Sequence, residues 1–174
     1  CVIRCAMTEA DRLLSMAEQQ LNALPDDDGR ASRLLQVLEL RGVVAAALHG
    51  RGSPQTRGVY ETAVELCRTR GDALQEEHFP LYWGWWFTAP DFATQQVRSR
   101  ILLDDMEGVN DEEVRLQSLH CAWATSFHGG RHDFCLDCVE RGLALYDPRR
   151  ADRNRARYGG HDARVCGLGE RALA

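Results

Sequence analysis

Trp83-Gly84 with Phe87, and Trp123-Ala124 with Phe127, write one pattern twice, 40 residues apart: an aromatic, a small residue, and an aromatic three positions further on. On an α-helix these positions share a face, because residues three and four apart are neighbours there. The small residue lets a second helix backbone approach closely. A repeat of this length with a small-plus-aromatic helical signature predicts a helix-pair solenoid of tetratricopeptide type, in which each pair buries its apolar stripe against its neighbours.

The punctuation of the chain agrees with that period. Breaks at Gly50, Gly71, Ala89, Gly108, Gly129 and Asp147 recur every 18 to 21 residues, about half the repeat. Thr8 is expected to cap a first helix that ends before Pro25, and Asp26-Asp27-Asp28-Gly29 makes the turn after it. Ser53-Pro54 places a cap and a first-turn proline together, and Asn110 with Glu113 forms a capping-box-like start. Pro80 either opens or kinks the fourth helix. The polar segment from Arg149 to Arg157 reads as a loop, and Tyr158-Gly159-Gly160-His161-Asp162 leads into a last helix. No segment alternates apolar and polar residues as a strand does. The expectation is an all-α, right-handed solenoid of seven to eight helices forming one segment over 1–174, with pairs at 27–71, 73–108 and 110–148 and a truncated helix at 160–174. The start without Met and the helical end suggest a fragment of something longer.

Composition excludes more than it assigns. All 21 basic residues are arginine, so mechanisms that need a lysine amine, a phosphate-loop lysine or a Schiff base among them, are absent from the chain. A net charge of -5 gives no general basic face for nucleic acid, although Arg149 to Arg157 is a local basic cluster. No apolar run is long enough for a bilayer, and the opening Cys-Val-Ile-Arg-Cys lacks signal-peptide regions. Seven cysteines, at 1, 5, 67, 121, 135, 138 and 166, are an odd number scattered through helical positions, which suits reduced, buried thiols and a cytoplasmic setting.

Candidate chemistry is sparse. His128, His132, Cys135 and Cys138 have metal-ligand residue types, and they define the alternative reading of a small metal-binding or thiol-redox module. Against it, structural zinc sites place cysteine pairs on turns rather than along a helix. Gly167-Leu168-Gly169 imitates a dinucleotide loop but follows no hydrophobic strand. The acid pairs Glu76-Glu77, Asp104-Asp105 and Glu112-Glu113, and the His120-Cys121 pair, point about 100° apart on a helix and do not converge. No catalytic residue, metal or cofactor is assigned. Five aromatics from Tyr82 to Phe87 cover more than a helical turn, so some ring is expected to face a groove. With Trp83 and Trp123 in the core, Trp85, Thr125 and His128 would line a concave face that receives a protein, a peptide or another domain of the same chain.

Gly142-Leu143-Ala144-Leu145-Tyr146-Asp147-Pro148, then Tyr158-Gly159-Gly160-His161-Asp162 and Val165-Cys166, resembles the tetratricopeptide-like region of bacterial multidomain adenylate or guanylate cyclase proteins with a predicted ATPase domain. The pattern covers about the last 35 residues closely, and the upstream helices are similar in style only. In that family a class III cyclase domain and a signal-transduction-type ATPase domain precede a helical-repeat tail. Ala163-Arg164 departs from the Pro-Gly that often follows the family's His-Asp. For this chain the resemblance implies the tail alone, a non-catalytic interaction or regulatory scaffold; from charge and the lack of a bilayer-length apolar run, no nucleic-acid or membrane contact is expected.

Overall fold

The computed structural model describes residues 6–25, 27–71, 76–160 and 162–174, and all regular structure among them is helical. Cys1, Cys5, Asp26, Asp72 and His161 lie outside the described residues. No described helix is long and apolar enough to cross a membrane. Nine α-helices are described: α1 Met7–Asn22, α2 Asp28–His49, α3 Pro54–Thr69, α4 Phe79–Phe87, α5 Phe92–Asp105, α6 Glu112–His128, α7 His132–Leu143, α8 Ala151–Arg157 and α9 Ala163–Leu173. The one more than expected is α8, which occupies the segment read as an arginine-rich loop.

Short polar side chains start most of these helices by occupying the amide donors that the first turn leaves free. Asp27 accepts from the Arg30 amide, Ser53 from Thr56, Asp91 from Thr94, and Asp162 from Arg164 and Val165. Two expected caps are displaced. No side chain caps α1, which begins before Thr8, and α6 is capped by Asp111 rather than Asn110. Asp111 accepts from both the Glu113 and Val114 amides, and its carboxylate meets the helix dipole better than a neutral amide would. Pro80 lies in the first turn of α4 and therefore opens that helix.

The chain divides into two compact units, Cys1–Ala73 and Leu74–Ala174. In the first unit α1 and α3 both pack on α2. Leu34, Leu35, Leu38, Val44 and Ala45 of α2 are buried with Tyr60, Ala63, Val64 and Cys67 of α3. Gly42 sets their closeness, because a Cβ there would lie 2.3 Å from the Tyr60 ring. The buried Thr56 hydroxyl donates to the Gly50 carbonyl at 2.9 Å and ties the α2–α3 turn. An Arg41–Glu18 ion pair links α2 to α1.

In the second unit α6 is the central helix, packed by α4, α5, α7 and α9. Its buried positions run from Glu113 to Ser126 on nearly every side, as expected of a helix surrounded by others. Trp83 of α4 and Trp123 of α6 are both core residues. Each seats against a glycine: a Cβ on Gly142 would lie 2.4 Å from the Trp123 ring, and one on Gly159 would lie 2.5 Å from Trp83. Gly159 also has φ +70°, a left-handed conformation that L side chains rarely adopt. The aromatic repeat and the glycines of the C-terminal motif are thus two halves of the same contacts. Tyr146 adds a tie by donating its hydroxyl at 2.7 Å to Asp162, the residue that caps α9.

Gly142→Ala is expected to destabilise the second unit by about 1–3 kcal/mol through overpacking against Trp123. Gly169→Ala, at a helical site with open space around it, is expected to stabilise by roughly 0.5–1 kcal/mol. Urea unfolding of both variants, followed by circular dichroism, checks the contrast in sign.

Candidate functional site

The two units offer three kinds of site to weigh: the aromatic centre of the second unit, its thiol cluster, and an apolar groove on the first. In the aromatic centre Trp83 stacks on Phe87 at 4.7 Å and meets Trp86 edge-on at 5.6 Å. The His120 ring stacks on Trp123 at 4.8 Å and lies 6.2 Å from Trp83, so it joins the two repeat tryptophans. Burying an imidazole among aromatics requires a polar partner. Gln117 supplies it: its amide oxygen pairs with His120 Nδ1 at 3.1 Å, while its amide nitrogen donates to Glu113 at 2.9 Å. An amide oxygen only accepts, so Nδ1 carries the hydrogen. Glu113, Gln117 and His120 form a fully buried polar row along one face of α6. Its carboxylate lies in the first turn of α6, where the helix dipole favours negative charge.

Of the residues expected to receive a partner, Trp85 and Thr125 are buried within the unit, at 8% and 3% exposure, and neither offers its side chain to solvent. Arg98 of α5 covers Trp85, with its guanidinium 4.5 Å from the ring centre and a hydrogen bond to the Trp85 carbonyl. Thr125 is held on both sides: its hydroxyl donates to the Cys121 carbonyl at 2.7 Å and accepts from the Trp86 indole at 2.9 Å. His128 is exposed at the end of α6, edge-on to Phe127. Residues 83 and 85 differ by two positions on the helix. Burial of both follows because α4 is apolar all round and buried from Phe79 to Trp86.

His128, His132, Cys135 and Cys138 do not assemble into one ligand set. Both imidazoles pack edge-on against Phe127, and the two thiols are buried in the α7 face. Among the described residues no group of three His, Cys, Asp or Glu side chains is placed to hold a metal ion. Sequence spacing misses the grouping that does form. Cys135 of α7 and Cys166 of α9 both approach the Glu170 carboxylate, at 4.0 and 3.6 Å. The Trp123 indole nitrogen is buried beside Cys166 without a well-formed hydrogen bond. Burial raises the Glu170 pKa and pushes Cys166 up to about 12, with the Glu170 charge adding to the latter. Burial likewise raises Cys138 to about 11 and moves Cys121 and Cys135 upward. Thiols shifted this way hold their proton and are poor nucleophiles.

The basic cluster is consumed internally. Arg150 and Arg153 pair with Glu76, Arg157 donates to the Glu76 and Glu77 carbonyls, and Arg149 and Arg155 pair with Asp147 and Asp152. These contacts make α8 a clamp over residues 76 and 77. Gly167 and Gly169 lie inside α9 rather than in a loop after a strand, so the dinucleotide-like pattern has no phosphate cradle.

On the first unit, Ala17 and Leu21 of α1, with Leu24 just beyond its C-terminal end, face Val37 and Leu40 of α2 across a groove of ≈ 540 Å³, with Gln20, Arg33 and Gln36 at its polar margin. Leu24 and Leu40 are each 47% exposed there. Apolar side chains grouped along a groove mark contact sites more often than scattered single residues do.

No family model and no solved structure matches the chain. An uncharacterized protein of Rhizobium meliloti (strain 1021) is 39% identical to it over 171 residues, which is 98% of this chain and 17% of that protein. The chain therefore spans less than a fifth of the length of the curated relative it matches.

Thiol labelling checks the inert reading of the cysteines. In native protein at pH 8, Cys121, Cys135 and Cys138 are expected to stay unmodified by a disulfide reagent, and to react fully in denaturant, as read by peptide mapping. Above the ordinary thiol pKa of about 9 the unfolded chain loses thiol protons that the folded one retains. Stability of the second unit is therefore expected to fall as pH rises from about 9 toward 11.

Proposed function

We propose that this chain is a non-catalytic interaction or regulatory segment of a longer multidomain protein. Its apolar groove on α1 and α2 takes the apolar face of a helix from elsewhere in the same polypeptide. The groove carries the reading, since an amphipathic helix laid in an apolar channel is a common recognition mode and the channel has polar residues at its margin. The length of the Rhizobium meliloti relative, of which this stretch is 17%, is the reason to seek the occupant within the same chain.

The finer assignment rests on the resemblance of about the last 35 residues to cyclase- and ATPase-associated repeat tails. Under it the helices stack as a tetratricopeptide-like right-handed solenoid, and any cyclase or ATPase chemistry belongs to other parts of the polypeptide. One observation supports a role without catalysis: burial shifts the thiols of Cys121, Cys135, Cys138 and Cys166 toward their neutral forms, which are poor nucleophiles. The five free cysteines described, at 67, 121, 135, 138 and 166, favour a reducing, cytoplasmic setting.

Hydrogen exchange compares the isolated chain with the full-length gene product. Amides of α1 and α2 around Leu24 and Leu40 are expected to gain at least about tenfold protection in the full-length protein. Leu24→Asp with Leu40→Asp, at exposed positions, is expected to abolish that gain while the helical circular dichroism of the isolated chain is unchanged. Equal exchange in the two contexts would sink the proposal.

A further inference from the structure

A second concavity lies wholly within the Leu74–Ala174 unit, where α5, α6 and the start of α7 meet. It encloses ≈ 330 Å³, at the small end of the roughly 300–1,000 Å³ typical of ligand pockets. From α5 come Ser99, Arg100, Leu103 and Asp104, and from the start of α7 come Arg131 and Phe134. The lining has two permanent cations and one carboxylate beside an aromatic ring and an aliphatic side chain. That combination suits a ligand with an anionic head and an apolar body.

Arg131 is oriented before any ligand arrives. One of its terminal nitrogens donates to the Ser126 hydroxyl at 3.1 Å, and its guanidinium lies 4.9 Å from the Phe134 ring centre. A guanidinium stacked on a ring keeps its planar fork in a fixed plane, which suits bidentate pairing with carboxylate or phosphate. Arg100 stands exposed on the α5 side. Thr125 supplies no donor, since its hydroxyl hydrogen is committed to the Cys121 carbonyl. It does join the cavity wall to Trp86 through the indole hydrogen bond. Asp104 opposes an anion but leaves the lining with an excess of one positive charge, in a chain whose formal net charge is -5. That local reversal of sign is what a site for a small anion requires.

We infer that the cavity between α5, α6 and α7 binds a small organic anion, a carboxylate or phosphate monoester with an apolar body, through Arg100 and Arg131. The site is separate from the groove on the first unit and does not depend on its role.

The chain is titrated with phenyl phosphate, benzoate, inorganic phosphate and neutral benzyl alcohol. Calorimetry and the arginine side-chain NMR signals follow binding. One or both of the organic anions bind saturably at one site, which separates phosphate from carboxylate preference, and benzyl alcohol does not bind. Inorganic phosphate, lacking the apolar body, binds at least about fivefold more weakly than the preferred anion. Arg100→Gln weakens binding at least about tenfold without lowering the melting temperature, and Asp104→Asn strengthens it. These two variants carry the test even if Arg131→Gln unfolds the protein by releasing Ser126. The inference is overturned if neither organic anion binds saturably, if benzyl alcohol binds as well as they do, or if Arg100→Gln has no more effect than Arg155→Gln.

Discussion

Trp83 and Trp123 are the contacts on which the second unit depends. Each indole lies where several helices meet, and each needs a position without a Cβ opposite it. Gly142 of α7 accepts Trp123, and Gly159, in the turn between α8 and α9, accepts Trp83. His120 then lies between the two rings, so the two copies of the aromatic repeat share one interior rather than forming separate cores. Large aromatic side chains give the most apolar burial per residue, and interior packing near crystal density makes their seats intolerant of an added methyl group.

Polar groups inside this unit are organised around those rings. Glu113, Gln117 and His120 satisfy one another at successive turns of α6, which avoids the cost of leaving buried donors and acceptors unpaired. Arg98 closes over Trp85 in the same spirit, placing a weakly hydrated guanidinium on a ring face. Arg153 and Arg157 of α8 reach the Glu76 carboxylate and the carbonyls of residues 76 and 77, while Arg155 pairs with Asp152 in the same helix. The thiols of α6, α7 and α9 are small apolar fillers whose protons are held by burial.

The first unit is built differently. Its core is aliphatic, with Tyr60 crossing α2 at Gly42, and it leaves Leu24 and Leu40 half exposed along a groove. Asp27 and Ser53 cap α2 and α3, and the exposed apolar side chains are the feature that a partner would relieve. The second unit presents instead a small cavity of mixed charge and ring character. Two surfaces of such different chemistry suit two different classes of occupant.

Local signals in the sequence determined the helices. Glycine and proline breaks, Ser53-Pro54 and the 3.6-residue periodicity place eight of the nine described helices, since caps and turns act over a few neighbouring residues. The α8 helix was not legible, because Arg153 and Arg157 are held by the Glu76 carboxylate and the Glu77 carbonyl nearly eighty positions away. Similarly, the sequence shows that the five aromatics between Tyr82 and Phe87 cannot share one face, but not which ring is covered. Arg98 decides that for Trp85, Thr125 for Trp86, and Gly159 for Trp83. The spacing of His128, His132, Cys135 and Cys138 suggested one cluster, whereas packing of α9 on α7 brought Cys166 and Glu170 to Cys135 instead. Periodicity along a chain reports which residues share a helix face; what that face meets depends on contacts between residues far apart in sequence, which only the tertiary structure decides.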